Sequence, residues 1–279
     1  MDALSSALAG MRVVSLALNI PGPVAAWRLA QMGAEVVKIE PLRGDPVAVT
    51  SPLWYEELHR NVEVVRCDLR AQADRANVLA RLANADLFIS SIRASALVRA
   101  GLGWETLRTQ FGRLSQIAIV GETSPNADRA GHDLTYQAQA GLLAPPAMPR
   151  TVIGDLAAAE RAVWAALAAV HQRDRSGAGC YVEIGIVDAA NAFAVPLRYG
   201  LTSSTGYLGG ALPAYNLYRA RDGWVAVAAL EPHFEERLRA LTGLASLEYD
   251  AIASVMATRD AAEWERLGSE HDLPLSRVV

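Results

Sequence analysis

The sequence predicts an α/β protein in which a large Rossmann-like domain, built on a parallel sheet, is followed by a smaller α+β domain. Strand-like apolar runs alternate with helical patterns through the first 200 residues, a spacing typical of parallel strands joined by crossover helices. After residue 200 a loop rich in Gly and Ser precedes a hairpin pattern and further helices, which indicates a second domain. We therefore predict domains at 1–200 and 211–279 with a linker at 201–210.

Composition limits the function classes. Of the 279 residues, 52% are hydrophobic and 20% are charged, which is typical of a folded chain with a substantial core. A net charge of −4 offers no basic face for nucleic acid, and no apolar run approaches the length of a membrane span. No basic segment precedes the first apolar residues, so we expect no secretory signal and a cytoplasmic location. Cys67 and Cys180 are far apart in sequence and are expected to be reduced.

The first elements form a βαβ unit. A strand at Arg12–Leu18 leads through a Pro-Gly-Pro turn and a short helix to a second strand at Glu35–Glu40, and such units bind ligands at the carboxyl ends of their strands. The turn Asn19–Pro23 has one glycine and two prolines that lack an N–H, so it does not resemble the Gly-x-Gly-x-x-Gly loop of an NAD site. Without those glycines, Glu40 is interpreted as an ordinary strand-end charge rather than a ribose-binding acid.

The remaining elements continue the alternation and then change character. The long helix is alanine-rich and strongly favoured by propensity, and the hairpin turns at Arg221-Asp222-Gly223. Further strands are predicted at Val62–Asp68, Asp86–Ser90, Ser115–Val120 and Tyr181–Ile186. Helices are predicted at Pro23–Met32, Ala71–Ala83, Trp104–Phe111, Asp155–Arg173 and Val187–Leu197. The second domain is predicted to contain the hairpin Tyr218–Ala229 and helices at Glu231–Leu241 and Asp260–Gly268.

Three polar residues at predicted helix starts are candidates for chemistry. Asp155 precedes the alanine-rich helix, where an N-cap carboxylate would satisfy free N–H groups. A carboxylate held ionised by the helix dipole can also act as a nucleophile or a base. His132 follows a glycine ahead of a helical run, a pattern typical of a turn or capping residue. Glu231 precedes Pro232 at a helix start, where an acid faces the positive end of the dipole.

Two isolated cations and a glycine pair complete the candidates. Arg93 and Lys38 could bind phosphate, although isolated cations are more often simply solvated. Gly209 and Gly210 are by themselves a flexible turn.

These residues belong to an ordered set of motifs that resembles the family III CoA-transferases, which include formyl-CoA and carnitine CoA-transferases and α-methylacyl-CoA racemase. The resemblance covers about the first 235 residues. The motifs are the run from Pro21 to Pro41, Gly44-Asp45-Pro46, Ile92-Arg93, Leu102-Gly103, Gly131-His132-Asp133, Gly154-Asp155 and Leu230-Glu231-Pro232-His233-Phe234.

The resemblance implies a role for each candidate. The family aspartate at the position of Asp155 is catalytic. Racemase-like members carry histidine at the position of His132, whereas members that transfer CoA commonly carry tyrosine there. A Glu-Pro-x-Phe motif of the racemase-like branch matches Glu231, and its glutamate supports the histidine.

For the ligand, the resemblance implies that Arg93 and Lys38 lie near the nucleotide of CoA, and that Gly209 and Gly210 lie over the active site. CoA would be a substrate moiety, with no covalently bound cofactor and no metal ligand. The resemblance also implies a homodimer of interlocked chains and an acyl-CoA substrate. From the charge and the apolar runs described above, we expect neither nucleic acid nor membrane as a partner.

The leading hypothesis is therefore epimerisation of a 2-methylacyl-CoA thioester, in which His132 and Asp155 are the two proton-transfer bases and Glu231 orients His132. The alternative is CoA transfer between carboxylic acids, in which Asp155 attacks an acyl-CoA to form a mixed anhydride. A third hypothesis is a non-catalytic CoA-binding paralogue. It is motivated by Leu156–Ala159, where the family often has glycines, and by a carboxyl terminus at Val279 that is shorter than the family pattern.

Overall fold

A computed structural model describes residues 4–279. Residues 1–3 lie outside the described residues. They begin the segment in which we expect no secretory signal. The chain divides into two compact units, of which the first ends at Ala194 and the second runs from Val195 to Val279. The division falls a few residues before the predicted boundary at 200, and the predicted linker 201–210 belongs to the second unit.

Within the described part of the first unit, six strands form one parallel sheet. The strands are β1 (Arg12–Ser15), β2 (Glu35–Glu40), β3 (Val62–Arg66), β4 (Leu87–Ser90), β5 (Ser115–Val120) and β6 (Tyr181–Gly185). Their order is β3-β2-β1-β4-β5-β6, so the connections leave in opposite directions from β1 and β4 and open a crevice at the carboxyl ends of these two strands. The predicted α/β class is confirmed.

Helices cover this sheet. The alanines at 157–159, 162, 165, 166 and 169 of the long helix are all buried, and their small side chains let this helix pack closely against the sheet and the first helix. Gly22, in the first helix, also permits close packing, because a Cβ at residue 22 would lie 2.0 Å from the Cβ of Ala17. The helices are α1 (Pro21–Gln31), α2 (Val47–Thr50), α3 (Pro52–Leu58), α4 (Gln72–Leu82), α5 (Ala94–Arg99), α6 (Trp104–Gln110), α7 (Asp133–Gln139), α8 (Ile153–Ser176) and α9 (Ile186–Phe193).

Strand β1 is shorter than predicted because side chains replace the ladder at its carboxyl end. The N–H of Leu18 donates to Ser91 Oγ at 3.0 Å, and the N–H of Asn19 donates to Asp45 Oδ1 at 3.3 Å. Asn19 has a φ of 65°, a left-handed conformation that asparagine tolerates better than most residues. These bonds hold the turn between β1 and α1 at the edge of the crevice.

The second unit is a small α+β body. Antiparallel pairing in the order β7-β8-β9 joins β7 (Tyr215–Arg219), β8 (Trp224–Ala228) and β9 (Leu275–Arg277). Its core includes Trp264, whose Nε1 donates to the Met256 carbonyl at 2.8 Å, and Tyr218, whose hydroxyl donates to the Pro213 carbonyl at 2.6 Å. The helices are α10 (Val195–Arg198), α11 (Pro232–Thr242), α12 (Tyr249–Met256) and α13 (Ala261–Glu270).

The predicted helix Val187–Leu197 is interrupted. Helix α9 ends at Phe193, and the short α10 begins at Val195, because Pro196 has no N–H to continue the α-helical bonding. Across residues 4–279, no helix combines the length and the apolar character that crossing a membrane requires.

Candidate active site

The crevice at the carboxyl ends of β1, β4 and β5 holds a cavity of about 310 Å³, here called the central cavity. The loops after these strands and the first turns of α1, α7 and α8 line it, so most of the wall belongs to segments that the switch in strand order brings together. Its polar lining comprises Asn19, Ser91, Arg93, Arg129, His132, Tyr136 and Asp155. The structure therefore brings together three of the predicted site residues, which are Arg93, His132 and Asp155.

Asp155 is the third residue of α8, so the prediction that it is the N-cap is wrong by three positions. Val152 occupies the N-cap and makes no side-chain capping bond. The preceding Gly154 is explained by packing, since a Cβ there would lie 2.9 Å from Asp133 Oδ1. A side chain at 154 would push Asp133 away from the first turn of α8.

Asp133 is a second, buried carboxylate at this site. Its Oδ1 accepts the backbone N–H of Asp155 at 3.0 Å, and its Oδ2 accepts Gln137 Nε2 at 2.5 Å. Gln137 is itself buried and also donates to the Thr151 carbonyl at 3.0 Å. The carboxylate of Asp133 therefore provides the acceptor that a free N–H in the first turn of α8 needs.

The two carboxyl groups determine the charge state of the site. Burial, and then the charge of Asp133, raises the pKa of Asp155 from its ordinary 3.8 to about 7. Both causes disfavour the ionised form, which corrects our expectation that the helix dipole holds Asp155 fully ionised. Near neutral pH Asp155 can therefore take up or release a proton, or act as a nucleophile in its ionised fraction.

His132 is the exposed N-cap of α7, and its backbone N–H donates to Thr135 Oγ1 at 3.1 Å. The capping position expected from the sequence is present, and it is compatible with a role in the cavity. Gly131 allows the buried Tyr136 to reach the cavity wall, because a Cβ at residue 131 would lie 2.5 Å from the Tyr136 hydroxyl. Burial, followed by the charge of Asp155, raises the pKa of Tyr136 and keeps its hydroxyl protonated.

A larger cavity of about 560 Å³, the outer cavity, adjoins the central cavity at the carboxyl ends of β1, β2 and β3. Leu18 and Ile92 line both cavities. The outer cavity has a mainly aliphatic wall, and its charged lining comprises Glu40, Arg43, Asp68 and Arg70. Arg70 Nε and Nη2 donate to Asp68 at 2.9 and 2.8 Å, whereas Arg43 is exposed. Such a wall can pack against a planar heterocycle, and arginines bind phosphate oxygens with a planar fork of donors.

Lys38, the chain's single lysine, has a different environment from the one predicted. Its ammonium is fully buried, 2.6 Å from Asp45 Oδ2, 3.0 Å from Glu40 Oε1 and 2.9 Å from His59 Nε2. It lines neither cavity, and its position near the nucleotide of CoA stays a prediction. Glu40 is likewise more than an ordinary strand-end charge, because its side chain is buried and accepts the Tyr55 hydroxyl at 2.9 Å.

Glu231, Gly209 and Gly210 lie in the second unit. Glu231 is exposed at the N-cap of α11 with Pro232 as the first helical residue, as the sequence predicts. A Cβ on Gly209 would lie 1.7 Å from the Ser203 carbonyl oxygen, and Gly210 has a φ of 106°, so both glycines are explained by the folding of their own loop. Their roles at the active site stay predictions.

Sequence reasoning missed several residues of the site. Tyr136 lies four residues after His132 and lines the central cavity, whereas Asp133 lies directly after His132 and acts on Asp155 from outside the cavity lining. Arg43 and Arg70 follow β2 and β3, which are neighbours in the sheet, with β2 next to β1. The signal was available, since polar residues just after parallel strands gather at one edge of a sheet.

A Rossmann-order sheet without a dinucleotide loop, with a carboxyl group and a histidine in the cavity at its switch point, defines an α/β protein with candidate groups for nucleophilic or acid–base chemistry. The chain matches CoA-transferase family III over residues 8–279. The chain belongs to this family.

Individual relatives agree with this assignment. The chain is 33% identical to succinyl-CoA–D-citramalate CoA-transferase of Chloroflexus aurantiacus over 86% of its own length and 66% of the relative's. It is 29% identical to succinyl-CoA:mesaconate CoA-transferase of Haloarcula marismortui, covering 92% of this chain and 74% of that one. Its fold is similar to that of a CaiB/BaiF family protein from Brucella suis, with a TM-score of 0.84 and 20% identity over 99% of this chain and 84% of the other.

Proposed function

We propose that the protein transfers CoA from an acyl-CoA to a carboxylic acid, with Asp155 as the covalent nucleophile. The observation that carries the proposal is the position of Asp155, at the first turn of α8 in the central cavity, beside the residues that can bind the two substrates. The naming of both reported relatives as CoA-transferases supports transfer over racemisation, which was the leading hypothesis from sequence.

In the proposed reaction the ionised Asp155 attacks the thioester carbonyl, and the CoA thiolate leaves as a mixed anhydride forms. The thiolate then attacks the Asp155 carbonyl, which releases the donor acid and leaves an aspartyl-CoA thioester. The acceptor carboxylate attacks this thioester and expels the thiolate, giving a second mixed anhydride. Attack of the thiolate on the acceptor's carbonyl yields the new acyl-CoA and regenerates Asp155.

The two cavities suit the two ends of CoA. We place the nucleotide in the outer cavity, where Arg43 would pair with its phosphates and Arg70 would do so by exchanging its Asp68 partner for a phosphate. Leu18 and Ile92 line both cavities, so the apolar pantetheine arm would pass them to bring the thioester to Asp155. Arg93 directly follows Ile92 and lies on the same path.

The acids of the named relatives, which are succinate, citramalate and mesaconate, each carry two carboxyl groups. We propose a short dicarboxylic acid as one substrate of this protein. A central cavity of about 310 Å³ has room for such an acyl group.

Racemisation stays a second candidate because of one specific observation. His132 and Asp155 line the same cavity, and a carboxyl pKa of about 7 is well matched to proton transfer near neutral pH. A chain that binds CoA without catalysis is the third outcome of the test.

Isotope transfer tests the proposal. In the steps above, the acceptor acid leaves one of its carboxylate oxygens on Asp155. Turnover with ¹⁸O-labelled acceptor should therefore add ¹⁸O to the peptide that contains Asp155, as read by mass spectrometry, and Asp155→Asn should be inactive and unlabelled. Transfer without label in that peptide would refute the covalent role. Deuterium uptake at the α-carbon from heavy water, without transfer, would favour racemisation instead.

A further inference from the structure

The central cavity contains one cation that the chemistry at Asp155 does not use. Arg129 lies in the loop between β5 and α7, and together with Ala127 and Ala130 it lines the cavity. Arg93 is on a different loop, directly after Ile92, which lines both cavities. The cavity lining thus holds two arginines and one acid, Asp155, which is only partly ionised near neutral pH.

Part of the guanidinium of Arg129 is bonded to the protein, and part of it is available to a ligand. Its Nη1 lies 3.3 Å from Glu122 Oε1 and 3.2 Å from Glu122 Oε2. Within residues 4–279, the contacts of Arg129 with Glu122 involve this one nitrogen. Nε and Nη2 therefore remain for a ligand, and a guanidinium presents such donors as a planar fork that matches a carboxylate.

Glu122 holds the side chain of Arg129 in position. Its side chain is 19% exposed, whereas that of Arg129 is 66% exposed. The acid lies two residues after β5, and the more exposed arginine lines the cavity. An arginine positioned in this way loses less side-chain entropy when it binds an anion than a free surface arginine would.

We propose that Arg129 binds the second carboxylate of a dicarboxylic acyl group, and that Glu122 is its positioning residue. The inference rests on the proposed function, because it assumes that the acyl group lies beside Asp155 in the central cavity. Arg129 would thereby set the choice between dicarboxylic and monocarboxylic acids of equal length.

Matched acid pairs test this role. Succinate and butyrate have the same chain length and differ only in the distal carboxylate, as do glutarate and pentanoate. Arg129→Gln should lower kcat/KM for succinate by about 10- to 100-fold, the expected loss for a charge-assisted hydrogen bond. Its effect on butyrate should stay within about threefold, because butyrate has no group for Arg129 to bind. Arg129→Lys should recover part of the succinate activity, since it keeps the charge and loses the fork.

Two further variants serve as a control and as a test of the positioning role of Glu122. Arg108→Gln is the matched control, because Arg108 is an exposed arginine paired with Glu105 and lines neither cavity. It should leave both acids unaffected. Glu122→Gln should raise KM for succinate more than it lowers kcat, as expected for a residue that acts through Arg129.

Equal losses for succinate and butyrate in Arg129→Gln, or no loss for either, would overturn the assignment while transfer itself stood. If the wild type transfers CoA to neither acid, the proposed function fails separately. Binding then decides the role of Arg129: succinyl-CoA should bind more tightly than butyryl-CoA to the wild type, and this preference should vanish in Arg129→Gln. An unchanged preference would also overturn it.

Discussion

Asp133 and Asp155 share the amino end of α8, where the Asp133 carboxylate accepts the backbone N–H of Asp155 at 3.0 Å. The bond places the buried carboxyl group of Asp133, from α7, beside the first turn of α8, which carries the carboxyl group of Asp155. The same contact that fixes Asp155 in position therefore also opposes its ionisation. Asp133 therefore contributes to both the position and the charge state of Asp155, although burial is the larger cause of the raised pKa.

The first prediction concerns the pH dependence of activity. Only ionised Asp155 can attack a thioester, and its pKa is about 7, so kcat/KM should rise with pH through an inflection near 7. Asp133→Asn removes the neighbouring charge but keeps an oxygen for the Asp155 N–H, so the inflection should move to lower pH. Burial still acts on Asp155, so the inflection should stay above the ordinary carboxyl value. Initial rates from about pH 5 to 9 measure both profiles, and an inflection that Asp133→Asn leaves in place would refute the coupling.

The second prediction concerns stability. Because the pKa of Asp155 is raised in the folded state, its carboxyl stabilises the fold below the ordinary value of 3.8, and that contribution is lost as pH rises to about 7. Asp155→Asn, which cannot ionise, should therefore gain stability over the wild type with rising pH, by roughly 2 kcal/mol between about pH 5.5 and 8. Urea unfolding at both pH values measures the difference. A difference that does not grow with pH would contradict the raised pKa.

Much of the fold was predictable because the first unit repeats one pattern. Strands β2 and β5 have the predicted bounds, since each is an apolar run in a sheet covered on both faces. The short helices α2, α3 and α5 were not predicted, because such short segments carry little periodicity, although α6, also short, was predicted. Strand β9 was missed for the same reason, as its three residues pair with β8 only through the tertiary fold.

The third prediction concerns the buried Lys38. Lys38→Met would leave Glu40 and Asp45 buried without their cation, so it should lower the free energy of unfolding by about 3–5 kcal/mol. The matched control is Arg12→Met, because the Arg12–Glu35 pair is exposed and such pairs contribute at most about 1 kcal/mol. Denaturant unfolding compares the two variants. Equal losses would show that the buried pairing adds no more than a surface pair.

The site was less predictable than the fold, for a physical reason. The position of Asp155 follows from its motif, but its pKa depends on Asp133, which lies 22 residues earlier and reaches it through packing of α7 against α8. The burial of Lys38 was not predictable, because a strand residue can face either side of a sheet, and its neighbours Glu40 and Asp45 are buried with it. Sequence patterns identify residue types at a site, whereas pairings between distant residues require the fold.

The fourth prediction concerns CoA binding. Arg43→Ala and Arg70→Ala should each weaken CoA affinity, typically by about 10-fold for a lost ionic hydrogen bond, and less at high salt because exposed charges are screened. Arg93→Ala should also weaken it if Arg93 lies along the pantetheine path. Calorimetric titration at two salt concentrations measures each effect, with Arg108→Gln as the control outside both cavities. CoA affinities equal to that of the wild type would remove the substituted arginine from the site.

The last prediction separates the two reactions through His132. If the protein transfers CoA, His132→Ala should only slow turnover, because the nucleophile Asp155 survives, whereas Asp155→Asn should abolish it. If it racemises, each base serves one face of the α-carbon, so either substitution should abolish epimerisation, with losses of about 10²- to 10⁴-fold.

Deuterium uptake into (R)- and (S)-2-methylacyl-CoA, followed by NMR beside the CoA-transfer assay, measures both reactions on the same variants. Thr135→Val is the control variant for the local structure, because Thr135 Oγ1 accepts the His132 backbone N–H and does not line the cavity. Full epimerisation by His132→Ala would exclude a two-base mechanism. Loss of CoA transfer in His132→Ala as complete as that in Asp155→Asn would show that the histidine is essential to transfer, because a surviving Asp155 nucleophile would then be insufficient.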